Sequence, residues 1–183
     1  DLINFIRRKG IGKTMSKSLD AHDCQRVLQL LPDPTLSDTS KTTLLVAFLM
    51  LNNTPVEQDC LEHIKQNYLT LCPQSCHFLF NPHSQAADTY LVNCAHHILA
   101  KKDLSQSQLT YVTKAILNPD IANPYKAALL EGLRLKEESE QENNFFLTYF
   151  YNQAQHTQVN VPILIDLATA YDGFNRHPNM VLA

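Results

Sequence analysis

The chain has 183 residues, 44% apolar and 18% charged, with a net charge of −3 and a pI near 6.2. That balance excludes an intrinsically disordered chain and gives no whole-chain attraction for a polyanion. Its four glycines fall well below the average share of about 7%, which argues against turn-rich sandwiches and barrels and for helices.

Residues 1–18 begin apolar with Leu2, Ile3, Phe5 and Ile6, then turn basic. Arg7, Arg8, Lys9, Lys13 and Lys17 face a single acid, Asp1. Asp20 caps a predicted helix running to about Leu31, with Cys24, Val27, Leu28 and Leu31 on one face. Asp33-Pro34 breaks it. Ser37 or Asp38 opens a second helix through Leu44, Leu45, Phe48, Met50 and Leu51. Thr54-Pro55-x-Glu57 opens a third. Threonine at the cap, proline at the first helical position and glutamate two residues later form a capping box, the strongest local signal in the chain.

Residues 69–85 hold prolines, two cysteines and a short aromatic run, and read as a linker. A helix is predicted from about Ala86 to Ala100, with Ala87, Tyr90, Leu91, Cys94 and Ile98 at helical spacing. The start signals then recur. Ser105 with Gln108 is a second capping box, Asn123-Pro124 opens the next helix, and Ser139 with Glu142 the one after.

Adding 85 to positions 17–57 aligns this second series with the first without a gap. Lys17, Leu19, Val27, Pro34, Lys41, Leu44, Leu45 and Glu57 meet Lys102, Leu104, Val112, Pro119, Lys126, Leu129, Leu130 and Glu142. Chance supplies two or three identities over such a stretch, at roughly 6% per position. The chain therefore reads as two copies of a helical unit of about four helices each.

The ending differs. Val159 to Ala168 is β-branched and continuously apolar, which fits a buried strand and the opening of an α/β domain. The expected division is helical repeat 1 over 1–68, linker 69–85, helical repeat 2 over 86–157, and the start of an α/β domain over 158–183.

Two other motifs have plain readings. Gly12-Lys13-Thr14 matches the tail of a phosphate-binding loop, but its first glycine would fall at Arg7, so a basic turn between helices is the reading. Cys72, Cys76, His77, His83, His96 and His97 lack the tight two-arm spacing of structural zinc, and no metal site is assigned. Five cysteines without a leader read as reduced thiols of a cytoplasmic protein. No apolar run approaches about 18 residues, so no membrane partner is expected.

Residues 127–142, Ala-Ala-Leu-Leu-Glu-Gly-Leu-Arg-Leu-Lys-Glu-Glu-Ser-Glu-Gln-Glu, resemble a pattern close to A-x-L-x-A-L-R-x-K-G-E-T-x-E-E. It belongs to the N-terminal helical domain of the anthranilate phosphoribosyltransferase family. Ala47-Phe48-Leu49-Met50 with Thr54 and Glu57 is a weaker copy. Asp103-Leu104-Ser105 and Ser18-Leu19-Asp20 look like the family's D-L-T/S helix start. Thr169, Asp172 and Gly173 match the family's G-T-G-G-D-G pyrophosphate loop, while Ala168, Ala170 and Tyr171 stand where it has glycine. Tyr171-Asp172-Gly173-x-Asn175-Arg176-x-Pro178-Asn179 is more similar to the divergent, anthranilate phosphoribosyltransferase-like branch, some of whose members bind nucleic acid.

The resemblance implies a mostly α chain, a duplicated helical-bundle unit followed by the first strand of a phosphoribosyltransferase-type α/β domain. Its role would be active-site cover and dimerisation, without catalysis by this chain alone. Thr169, Tyr171, Asp172, Gly173, Asn175, Arg176 and Asn179 become candidates for a phosphate or substrate loop. The chain itself is expected to carry no cofactor. Mg2+ and phosphoribosyl pyrophosphate are implied for the full-length protein. The alternative is a nucleic-acid-binding protein that keeps the fold without the activity, using Arg7, Arg8, Lys9, Lys13 and Lys17, because lysine and arginine contacts to phosphate dominate such binding. Helices apolar on more than one face, near 39–51 and 140–151, predict a homodimer unless the two repeats cover each other.

Overall fold

A computed structural model describes residues 1–10, 12, 15–83 and 88–153. The predicted strand over 159–168 and the loop after it lie outside the described residues, as do Lys13 and Thr14. The described chain is mostly helical, with no strand among the described residues. Its helices are α1 (Leu2–Lys9), α2 (Ala21–Leu30), α3 (Asp38–Met50), α4 (Pro55–Leu71), a 3-10 helix (Gln74–Leu79), α5 (Thr89–Leu99), α6 (Gln106–Leu117), α7 (Asn123–Lys136) and α8 (Glu140–Gln153).

The caps set these boundaries. Asp20, Thr54 and Ser105 each accept the amide three residues on, and Asp23, Glu57 and Gln108 return the bond to the cap's own amide. Ser139 and Glu142 repeat the reciprocal pair ahead of α8. Asn123 starts α7 without a side-chain cap, and Pro124 takes a first-turn position where no intrahelical amide is needed.

The duplication is visible in the fold. Shifted by 85, the bounds of α2, α3 and α4 fall on those of α6, α7 and α8 to within a few residues. Helices α1 and α5 follow a different register. Arg8 pairs with Asp23 at 2.8 Å, and Gln108 Nε2 donates to His97 Nδ1 at 3.4 Å. Gln108 stands 85 residues after Asp23, whereas His97 stands 89 after Arg8. The pair Asp1–Arg26, 3.2 Å apart, likewise corresponds to the edge-to-face rings of Tyr90 and Tyr111. Four extra residues are about one helical turn, so the buried stripe is kept. Leu2, Phe5 and Lys9 match Leu91, Cys94 and Ile98, all of them buried.

Residues 1–152 form one compact unit rather than two. Its broadest contact is α3 against α7, the same helix of each copy. Leu44, Leu45, Val46, Ala47 and Phe48 have no exposure at all, because α1, α7 and the 3-10 helix pack around α3. The apolar circumference that pointed to a homodimer through residues 39–51 is thus covered inside the chain. At Gly132 the backbone of α7 comes so close to α5 that a Cβ would sit 2.6 Å from Ile98 Cγ2.

Over its described part, residues 69–83, the predicted linker packs into the core. Leu69–Leu71 complete α4, and Cys72, Cys76, Phe78 and Leu79 are buried in the same core as the helices. Phe78 stacks on Tyr125 of α7 at 4.3 Å between ring centroids.

Candidate functional site

One buried carboxylate holds each copy together internally, in the same way in both. Glu57 Oε1 accepts the amide of Leu19 at 2.9 Å and the ammonium of Lys9 at 2.9 Å, while Oε2 accepts the amide of Thr54 at 2.8 Å. Glu142 Oε1 accepts the amide of Leu104 at 2.8 Å, and its Oε2 takes the Ser139 amide at 2.9 Å and Lys136 Nζ at 2.6 Å. All four ionic side chains are buried. Each glutamate therefore ties the start of one helix to the start of the helix two elements later.

Burial alone would raise both carboxyls. The amides of Thr54 and Leu19 with Lys9 outweigh it at Glu57, as do Lys136 with the amides of Leu104 and Ser139 at Glu142, and both lie below their ordinary value. Burial would likewise lower Lys136, but Asp103 and Glu142 hold its ammonium above the usual range.

The source of the cation is exchanged between the copies. In the first, Lys9 comes from α1 and the α3-side position is Leu51; in the second, Lys136 comes from α7 and the α5-side position is Ile98. Lys9 also donates to the Asn52 carbonyl at 2.9 Å and lies 5.7 Å above the Phe48 ring centroid.

This removes Lys9 from the predicted basic arm: with 1% of its surface exposed, it has no face for a phosphate. Arg7 and Lys17 are exposed. Arg8 is half-exposed, donates to the Ser18 carbonyl at 3.0 Å and pairs with Asp23. Lys13 lies outside the described residues. The structure adds a residue that sequence order hid. Arg26 of α2 joins Arg7 and Arg8 along a groove of about 730 Å³ between α1 and α2, which also holds His22, Asp1 and Asp23. The groove thus mixes three guanidinium groups with two carboxylates, and its two ion pairs are surface pairs of small worth.

Cys72, Cys76, Cys94, His77 and His96 serve the core, whereas His83 and His97 are exposed. Burial pushes the Cys72 thiol up to about 12. His77 meets the Cys72 carbonyl at 3.0 Å, and His96 the Phe78 carbonyl at 2.7 Å. Asp20, His22 and Asp23 are the only set of close metal-ligating groups among the described residues, and both aspartates are already engaged in the α2 cap. The loop candidates Thr169, Tyr171, Asp172, Gly173, Asn175, Arg176 and Asn179 lie outside the described residues.

Among the described residues no helix is long and apolar enough to cross a membrane. Comparison with family models, curated proteins and solved structures finds no significant match.

Proposed function

We propose that residues 1–152 are the helical region of an anthranilate phosphoribosyltransferase-like protein. In this reading, duplication has put two copies of the helical unit into one chain, which covers a site and supports assembly without turning over substrate. The observation that carries it is the twin latch. The residues the resemblance singled out as helix starts, Leu19 and Leu104, are those bound by Glu57 and Glu142. A homodimer, if built on these helices, draws on α8, where Leu147, Phe150 and Tyr151 are exposed, because α3 is consumed within the chain. Cytoplasmic residence is supported by five free, buried cysteines.

Calorimetric titration of the chain with phosphoribosyl pyrophosphate and Mg2+ tests the non-catalytic part of this reading. No binding heat is expected, because Ala170 and Tyr171 occupy positions where the family uses glycine to admit diphosphate. Micromolar binding would overturn it.

A second reading, nucleic-acid binding, is favoured by one observation. Arg26 converges with Arg7 and Arg8 on one groove although it is distant from them in sequence.

A further inference from the structure

A cavity of about 270 Å³ lies between the segment leading into α2 and the turn from α3 to α4. Ser16 and Ser18 line one side, and Leu51, Asn52, Asn53 and Thr54 the other. Every polar side chain in that wall is neutral, and Leu51 supplies its apolar part.

The second copy spans the same gap with an ion pair. Eighty-five residues after Ser18 and Leu51 stand Asp103 and Lys136, whose Oδ1 and Nζ are 2.6 Å apart. In the first copy neither partner is present. The latch cation comes instead from Lys9, which bonds the Asn52 carbonyl at 2.9 Å and is 1% exposed. With the cation moved to α1, an open and uncharged chamber is left beside the bond from Leu19 to Glu57. One of its wall residues also carries an unmet acceptor. Asn53 Nδ2 donates to the Phe48 carbonyl at 2.8 Å, which fixes the amide. Its Oδ1 is the one buried side-chain oxygen or nitrogen without a hydrogen-bond partner among the described residues. Such atoms are rare in folded proteins.

The wall selects by charge. An anion finds no cationic side chain there, because Lys9 is buried against Glu57. A cation finds no carboxylate in the wall and has the Lys9 ammonium behind Asn52. An apolar ligand would take water from polar side chains and return no hydrogen bond, which costs free energy at each. Hydroxyl groups both donate and accept, so they pair with serine, threonine and asparagine alike. At about 30 Å³ per water the space equals about nine waters, room for a single sugar-sized ring. We propose that this cavity binds a neutral, polyhydroxylated molecule of monosaccharide size, held by Ser16, Ser18, Asn52, Asn53 and Thr54. Bound there, it bridges the start of α2 to the start of α4 and reinforces the latch.

Proton–nitrogen NMR titration of the full chain tests this, with glucose and myo-inositol as probes and gluconate as the charged control. Saturable shifts are expected at the amides of Ser16, Ser18, Asn52 and Thr54. They should be half complete at about 1–10 mM, the range that ordinary ligand efficiency gives a dozen heavy atoms. Gluconate should leave them unmoved. At about ten times the half-saturating concentration, amide protection at Leu19 should rise about tenfold while that at Leu104 stays constant. Ser18→Phe fills the cavity from an exposed position, and Ser18→Asp with Leu51→Lys restores the ion pair of the second copy. Either change should abolish the shifts.

No saturable shift from either polyol by about 100 mM would overturn the proposal. So would an equal response to gluconate, shifts that survive both variants, or protection that rises equally at Leu19 and Leu104. An equal rise is the general effect of an excluded cosolute, not of a bound one.

Discussion

The carboxylate of Glu57 holds the amide of Leu19, 38 positions earlier, at 2.9 Å. Leu19 precedes the cap of α2 and has no helical partner for that amide, so the bond fixes where the helix begins. Glu142 does the same for Leu104 at 2.8 Å, again across 38 positions. One geometry, repeated in one chain, marks these glutamates as the joints of the unit.

The exchanged cation gives the first prediction. Lys9→Ile leaves Glu57 as a buried carboxylate without its ion, a change that costs about 3–5 kcal/mol in comparable sites. Adding Leu51→Lys recreates the arrangement of the second copy, where Ile98 and Lys136 hold those places. Urea unfolding should show the double variant recovering half or more of the loss. A double variant no more stable than Lys9→Ile would show that the two positions are not equivalent.

Acid sensitivity follows from the same carboxyls. Both have folded values below the ordinary 4.5. A carboxyl lowered by folding contributes stability that is fully present above its unfolded value and is lost as pH falls through the folded one. The melting temperature should therefore be level with respect to these groups above about pH 5 and drop below about pH 4. In Glu142→Gln that acid slope should be shallower. An unchanged slope between pH 5 and 2 would contradict the depressed value.

The arginine groove sets the terms for nucleic-acid binding. Under that reading the chain binds a single-stranded oligonucleotide at about 50 mM salt and releases it as salt rises. Arg7→Glu with Arg26→Glu should abolish binding, and Lys9 should be left alone, because its charge is spent on Glu57. Fluorescence anisotropy showing no binding by the unmutated chain at low salt would end this reading.

What was legible in the sequence was local. Thr54 with Glu57 and Ser105 with Gln108 are reciprocal bonds spanning three residues, so spacing alone reveals them. The duplication was legible because it preserved those caps and the breakers between them. Lys9 was not, since it sits in a run with Arg7 and Arg8 and only α1 packing on α3 turns it inward. The segment around Cys76 and Phe78 read as a linker for a similar reason. A short 3-10 helix has no amphipathic period long enough to see, and its burial is decided by helices distant in sequence. Arg26 joined the groove only through the contact of α2 with α1.

The measurement that tests the duplicated latch most directly is native-state amide exchange at Leu19 and Leu104. Both lie outside helices, where an amide without a partner exchanges freely. The latch predicts that each is protected at least about a thousandfold beyond the free-peptide rate, with the neighbouring amides of Ser18 and Asp103 left fast. Protection should fall at Leu19 in Glu57→Gln and at Leu104 in Glu142→Gln. Exchange at either leucine as fast as at its neighbour in the unaltered protein would contradict the account.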